Sequence, residues 1–464
     1  MKLQELFPKL EIKDKFNYDV DNISTNTKDV NENSVFVAIK GTNVDTHEKK
    51  YIDEALSKGC KIFITEKELE FPQNIVQFVV EDTRKTLGLV ASSFYSHPSK
   101  RVKVIGVTGT KGKTSVTFIV KEILEKMGKR CAIIGTSGAY IGDEHIELKN
   151  TTPDSITLQR LLACAVDKKM DYCAMEVSSQ AMMQMRVMGT RFLTTVFTNI
   201  SPDHIGPSEH KDFEDYLYWK KRILMLSRKC IVNADDEHFQ EITNGLKNMI
   251  ITVGKKAHDF KMSEVGHNSF KLNGYEVKTN LIGSYNMYNL ALSIAALNEI
   301  GFQMSDILKC THDIYIPGRM ELIEKNGREF VIDYAHNSIS ISSLLKELTN
   351  IKKNRIIVVV GSVGGRTFNR RVEIPEAVNA YADEVIYTAD NPNFEDPEKI
   401  AEEMAKNSTI KTGVIANRAM AIKTAYEKSQ AGDIIAILGK GDETHQLVNG
   451  EFVSYSDKGV VESL

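Results

Sequence analysis

Residues 109–114 read GTKGKT, and their types and spacing suit the holding of a polyphosphate. Gly109 and Gly112 let backbone N–H groups approach phosphate oxygens. Lys113 can neutralise the outer phosphates, and the Thr114 hydroxyl can ligate Mg²⁺. The general form of this motif has a glycine five residues before Gly112, where Val107 stands, so the shorter form is the intact one. The elements that must present it are legible on either side. Residues 102–107 form an apolar run expected to be a buried strand. Val116, Ile119, Val120, Ile123, Leu124 and Met127 then recur at helical spacing. A helix that starts at the loop adds partial positive charge. A nucleoside triphosphate is the expected ligand. An ordinary strand-to-helix turn with incidental glycines would not need Lys113 and Thr114 at the helix start.

Three further positions carry chemistry. Glu176 ends the apolar strand 172–177, and ligands of open α/β sheets gather at strand carboxyl ends. It is expected to be a Mg²⁺ ligand beside Thr114, the alternative being a cap for the helix that follows. His204 lies beyond the strand 195–199, next to Asp203, and is also expected to be a ligand. The run 216–222, YLYWKKR, reads by residue type as a basic helix face, and periodicity singles out neither Lys220 nor Lys221.

A chain of 464 residues exceeds one core, and two to four domains are expected. With 42% hydrophobic and 26% charged residues it has the composition of a globular enzyme. A net charge of −3 gives no reason to expect nucleic acid or a membrane surface as partner. Six scattered cysteines without a CxxC pair point to reduced thiols in a cytoplasmic protein, not to disulfides or structural zinc. The first residues lack the apolar core of a signal peptide, and no run approaches the roughly 20 apolar residues of a membrane span. Strand-like runs 34–39 and 61–65 flank a helix near 52–58, and 97–100 reads as a linker. A strand–helix alternation runs from 102 to about 315, with further strands at 130–134 and 229–233. Residues 315–318, YIPG, mark another boundary, followed by Val/Ile-rich runs at 330–334, 355–361, 384–388 and 433–438.

These segments resemble the Mur ligase family, in particular the branch that adds the third residue of a peptidoglycan stem peptide. The resemblance spans nearly the whole chain and rests on ordered motifs. They include GTKGKT (109–114), NTTPD (150–154), MEVSSQ (175–180), FTNISPDH (197–204), NADD (233–236), GSYNMYN (283–289), PGRME (317–321), DYAHN (333–337), DNPN (390–393) and GKGDE (439–443). It implies an α/β protein of three domains: a UDP-sugar-binding domain (1–98), a central ATP-binding domain with a phosphate loop (99–315), and a Rossmann-like domain that takes the incoming amino acid (316–464). It implies ATP-dependent joining of a carboxylate to an amine through an acyl phosphate, with two Mg²⁺ ions. A monomer acting on a UDP-N-acetylmuramoyl-dipeptide and a diamino acid is expected. Gly109, Thr110, Lys111, Gly112, Lys113, Thr114, Asn289, Arg319, Asp333 and His336 fall on ATP-contacting positions. Thr114, Glu176, His204 and Lys220 fall on metal positions, Lys220 as a carbamate formed from CO₂. The family pattern Tyr-x-x-x-Lys-x-Arg favours Lys220 over Lys221. Lys113, His204 and Lys220 are the expected catalytic residues. Thr27, Asn150, Thr151, Thr152, Ser178 and Arg186 fall on positions that hold the UDP substrate, although the family's Asp-Ser-Arg is Asn26-Thr27-Lys28 here.

For the added amino acid the resemblance points to Arg366, Asp390, Asn391, Asn393, Gly439 and Glu443. The diaminopimelate enzymes carry Asp-Asn-Pro-Arg, where this chain has Asp390-Asn391-Pro392-Asn393. An asparagine cannot form a bidentate, charge-assisted pair with a distal carboxylate. L-lysine is the expected substrate, its ammonium facing Asp390, Glu395, Asp396 or Glu443. Diaminopimelate, with Arg366 or Arg370 in the missing arginine's place, or another diamine remains the alternative. A folylpolyglutamate synthetase-like ligase would share the phosphate loop without the N-terminal, NTTPD, MEVSSQ and DNPN segments. A non-catalytic scaffold would not require Lys113, Thr114, Glu176 and His204 together.

Overall fold

The computed structural model describes residues 1–8, 10–41, 44–206, 209–365 and 367–464. The chain is α/β, with three mainly parallel sheets. They fall in two compact units: Met1–Met262 with Ala291–Cys310, and Ser263–Leu290 with Thr311–Leu464.

The first unit holds two sheets. Its N-terminal sheet runs Asn22–Ser24, Ser34–Val37, Ile62–Thr65, Val76–Val79, all parallel. Every residue of the two inner strands is buried, as expected for Val/Ile/Phe runs covered on both faces. The helix between them is Lys49–Ser57. Its polar first turn hides its start from an apolar pattern.

The central sheet has the parallel order Met249–Gly254, Lys229–Asn233, Phe192–Phe197, Lys103–Thr108, Tyr172–Glu176, Cys131–Gly135. Antiparallel strands Gly138–Ile141 and Glu144–Ile146 extend it. Helix Lys113–Lys126 follows the central strand and buries Val116, Ile119, Val120, Ile123 and Leu124. Each such side chain contributes about 1.5–3 kcal/mol of burial. Registry then sets the site. Thr108 lies opposite Phe197, and Val107 opposite Glu176, so three strand carboxyl ends come side by side around the glycine loop.

Two sequence expectations shift. The strand expected at 195–199 is Phe192–Phe197, because the side chains of Thr198 and Asn199 bond to the glycine loop instead of extending the ladder. The strand–helix alternation also does not run unbroken to 315. Ser269–Leu272 and Tyr275–Lys278 pair antiparallel across Asn273-Gly274, both in the left-handed region at φ 50° and 86°, which is the two-residue turn that Asn-Gly favours.

The second unit is built on a sheet of order Glu321–Lys325, Arg328–Asp333, Ile434–Leu438, Ile356–Ser362, Glu384–Ala389, Lys411–Val414. All pairs are parallel except the first. Among the described residues no helix is long and apolar enough to cross a membrane.

Candidate active site

The glycine loop is tied down by the strand beside it. Thr198 Oγ1 and Asn199 Nδ2 donate to the Lys111 carbonyl at 2.6 and 3.0 Å, and Asn199 Oδ1 accepts from Lys111 N at 2.9 Å. Gly109 has φ 145°, and a Cβ there would strike Thr198 Oγ1. Only glycine fits. Gly112, at φ 85°, caps helix Lys113–Lys126. Lys113 Nζ donates to the carbonyls of Gly109 and Thr110 at 2.9 and 3.1 Å, which holds the ammonium over the loop.

Glu176 is buried at the end of its strand. Its Oε1 accepts from Thr114 Oγ1 at 2.9 Å and Thr136 N at 3.0 Å, and its Oε2 from Thr136 Oγ1 at 3.1 Å. A Cβ on Gly135 would overlap this carboxylate. Glu176 does not cap the next helix, which Ser178 caps through Ala181 N. A buried carboxylate bonded to a threonine hydroxyl at a helix N-terminus is a hard-oxygen donor set suited to Mg²⁺. Among the described residues no three His, Cys, Asp or Glu side chains are grouped for a metal by themselves.

Lys220 and Lys221 part company in three dimensions. Lys220 is 2% exposed, donates to the Gly109 carbonyl at 2.9 Å and stands 4.6 Å from the Tyr216 ring centroid. Burial and then the Lys113 ammonium push its amine well below its ordinary value. Lys221 instead donates to the carbonyls of Glu241 and Asn244 at 3.0 and 3.2 Å, near a helix end. A buried amine that readily loses its proton is the form that can add CO₂.

His204 lies in the loop after its strand, at φ 55°. Its Nδ1 meets Glu209 Oε1 at 3.0 Å, an orientation that leaves Nε2 for another partner. Asp203 is burdened by burial, yet Lys111, 3.6 Å away, and His204 hold its carboxyl below the usual range.

The residues expected to hold the UDP substrate divide. Thr152 Oγ1 donates to the Glu176 carbonyl and accepts from Ser178 N, both at 3.0 Å. Arg186 Nη1 donates to the Thr152 carbonyl at 2.7 Å, and Thr151 Oγ1 lies 3.0 Å from Thr136 Oγ1. These four residues form one network with Glu176. Asn150 is exposed at its edge. Thr27 lies in the N-terminal sheet region, buried in a short 3₁₀ turn.

Asn289, Arg319, Asp333 and His336 belong to the second unit. Asp333 accepts from Met320 N and Ala335 N, both at 2.7 Å. Burial raises its carboxyl, against the pull of Arg319. The Arg319 guanidinium stacks 4.3 Å from the Tyr334 ring centroid, and His336 Nδ1 lies 2.8 Å from the Tyr334 carbonyl. Asn289 is buried and reaches Asn286 Oδ1 at 3.4 Å.

Also in this unit, Asp390, Asn391 and Glu443 converge on a residue the sequence analysis did not single out. Lys440, fully buried, donates to Asn391 Oδ1 at 3.1 Å and Glu443 Oε2 at 2.5 Å, and stands 3.7 Å from Asp390 Oδ1. Gly439, at φ 115°, leaves room for Asp390. Asn393, at φ 52°, turns its Oδ1 to Gly450 N at 2.9 Å. Its amide thus shapes the loop. Glu395 is held by Arg371 in a two-pronged pair at 2.8 and 2.7 Å, which keeps its carboxyl below the usual range. Asp396 caps helix Pro397–Ala405. Of the four carboxylates considered for a substrate ammonium, Glu395 and Asp396 therefore already have local duties. Arg366 lies outside the described residues.

Residues 107–297 match the Mur ligase middle domain and residues 318–441 the Mur ligase glutamate ligase domain. The UDP-N-acetylmuramoyl-L-alanyl-D-glutamate–2,6-diaminopimelate ligase of Aquifex aeolicus is 36% identical, covering 96% of this chain and 93% of its own length. The chain belongs to the Mur ligase family. The corresponding L-lysine ligase of Streptococcus sanguinis is 35% identical over 94% of this chain and 90% of its own. A solved structure of a diaminopimelate-adding ligase superposes with TM-score 0.74 at 28% identity, covering 100% of this chain and 98% of that one. As a Mur ligase, the protein is an ATP-dependent, ADP-forming ligase.

Four residues that support the Mur ligase site were not legible as such in the sequence. Thr136 and Gly135, which seat Glu176, follow an apolar strand in a run of small residues that carries no chemical signature. Lys440 lies inside GKGDE, and its partners Asn391 and Asp390 come from a different segment. Tyr216, fully buried, bonds Thr110 Oγ1 at 3.0 Å; its spacing from Lys220 was visible but not its contact with the loop.

Proposed function

We propose that this Mur ligase joins L-lysine to the D-glutamate carboxylate of UDP-N-acetylmuramoyl-L-alanyl-D-glutamate, in peptidoglycan synthesis in the cytoplasm, acting as a monomer. Residues 1–98 take the UDP end, 99–315 the ATP and 316–464 the amino acid. The observation that carries the reading is the convergence of Lys113, Lys220, Thr114 and Glu176 on one glycine loop.

The substrate carboxylate is a poor electrophile, because a departing oxide would be a poor leaving group. An oxygen of that carboxylate attacks the γ-phosphorus of ATP, the bond to the β-phosphate oxygen breaks, and ADP leaves. The amine of the incoming amino acid then attacks the acyl carbon. The tetrahedral intermediate collapses, phosphate departs with the electron pair, and the amine gives up its proton. Lys113 holds the terminal phosphates and offsets charge in the transition state. The N–H groups of Thr110 and Lys111 donate to Asn199 and brace the loop, so Gly112 and the helix start behind it present the N–H groups to phosphate. Thr151, Thr152, Ser178 and Arg186 orient the dipeptide. Thr114 with Glu176, and His204 with Lys220 as its carbamate, would hold two Mg²⁺ ions, which neutralise phosphate charge. Asn289, Arg319, Asp333 and His336 serve the nucleotide, and Arg366 the amino acid's α-carboxylate.

Lysine is favoured because Asn393 supplies no cation for a distal carboxylate, while Asp390 and Glu443 outnumber Lys440 by one charge. Relatives carry both names, diaminopimelate at 36% identity and L-lysine at 35%. Phosphate release with the UDP-dipeptide and MgATP should show a higher kcat/KM for L-lysine than for meso-diaminopimelate. A preference for diaminopimelate would overturn the substrate assignment and point to Arg370 or Arg366 as the replacement cation.

A further inference from the structure

One buried titratable side chain, unused in the chemistry above, touches three of the segments that carry it. His210 is 0% exposed. Its Nε2 lies 2.8 Å from Ser179 Oγ, and its Nδ1 lies 2.9 Å from Asp215 Oδ2. Its backbone N–H donates to the His204 carbonyl at 3.0 Å, and its own carbonyl accepts from Gly206 N at 3.0 Å. His210 thus holds His204 and Gly206 through its backbone while its imidazole anchors it to Ser179 and Asp215. Ser179 begins the helix just after Glu176 and Ser178. Asp215 lies in the first turn of helix Phe213–Lys221, one residue before Tyr216 and on the same helix as Lys220. The Tyr216 ring centroid is 5.3 Å from that of His210, and its hydroxyl reaches Thr110 in the glycine loop.

Serine, histidine and aspartate in this order form the hydrogen-bond chain of a nucleophilic relay. That reading fails on access. Ser179 is 2% exposed, so no acyl group can reach its Oγ. What the chain of bonds does supply is rigidity. A buried imidazole bonded at both nitrogens is costly to displace, since moving it would leave a buried hydroxyl and a carboxylate without their partner.

We infer that His210 is a positioning residue: bonded to Ser179 and Asp215, it fixes the His204 loop against the Glu176 turn and the Lys220 helix. The inference rests on the reading of His204 as a metal ligand. Groups that orient a ligand from behind commonly change metal affinity by about 10- to 100-fold when removed.

The test uses the full-length protein with His210→Gln, Ser179→Ala, Asp215→Asn and the pair S179A/D215N. Mn²⁺ affinity is read by electron paramagnetic resonance with a non-hydrolysable ATP analogue bound, beside kcat and the KM for ATP. We expect the Mn²⁺ dissociation constant of H210Q to rise about 10-fold or more and kcat to fall in step, with the KM for ATP changed less than about threefold. The S179A/D215N pair should lose no more than H210Q, because the three groups act as one unit. S179A, a small change at a helix start, keeps the test open if H210Q does not fold. Unchanged Mn²⁺ affinity across the folded variants overturns the inference. His204→Ala separates the two claims: a wild-type Mn²⁺ affinity in that variant would mean that the ligand reading has failed, and the inference with it.

Discussion

Lys113 and Lys220 both donate to the carbonyl of Gly109, and the chemistry of each follows from that shared place. Lys113→Ala should lower phosphate release by at least about 10²–10³-fold, the range for removing one preorganised charge-stabilising donor. Retained turnover in steady-state kinetics would contradict the phosphate-loop assignment. Lys220→Ala should also lose turnover, with partial recovery on adding short-chain carboxylates that stand in for a carbamate. Wild-type activity there would move the chemistry to another residue. A pH signature accompanies Lys220. Its folded value lies well below the ordinary one, through burial first and Lys113 second, so the folded state binds fewer protons than the unfolded chain. The penalty is fully present below the depressed value and is relieved as pH rises toward the unfolded value, about 10.4. In urea unfolding without CO₂, from about pH 7 to 10, Lys220→Met should flatten the rise of stability with pH. An unaltered slope would show that Lys220 is not the group.

At the scale of elements, the site is set by where strands stop. Val107 lies opposite Glu176 and Thr108 opposite Phe197, which aligns the glycine loop, the Glu176 carboxylate and the Thr198–Asn199 pair that holds the loop. Gly135 ends the next strand, and its missing side chain makes room for Glu176. Gly135→Ala should cost about 1–3 kcal/mol in chemical denaturation and should lower activity further by displacing the carboxylate. An alanine variant with wild-type stability and turnover would mean that Glu176 tolerates the shift. The sequence announced the strand–loop–helix unit clearly, because glycine spacing and a 3.6-residue apolar period are local signals. It could not tell Lys220 from Lys221. They are adjacent on a helix of weak apolar pattern, and only packing sends one to Gly109 and the other to Glu241. The role of Asn393 was equally hidden. Its type excludes an arginine's pairing, but its bond to Gly450 is made 57 positions away in the chain.

At the scale of the molecule, each compact unit has its own sheet-based core and its own set of site residues. Order along the chain made the α/β class and the family readable, since ten motifs recur in sequence. The polar supports escaped, because Thr136, Lys440 and His210 reach Glu176, Asn391 and Ser179, all distant in the chain. The phosphate loop drives amide formation in this reading of the site. That role is tested most directly by mass spectrometry of the complete reaction: UDP-N-acetylmuramoyl-L-alanyl-D-glutamate, L-lysine and MgATP, with ADP and phosphate counted in the same tube. The expected product is a UDP-tripeptide heavier by one lysine less one water, with one ADP and one phosphate formed per amide. ATP consumed without that product, or at a rate independent of the dipeptide, would contradict that role.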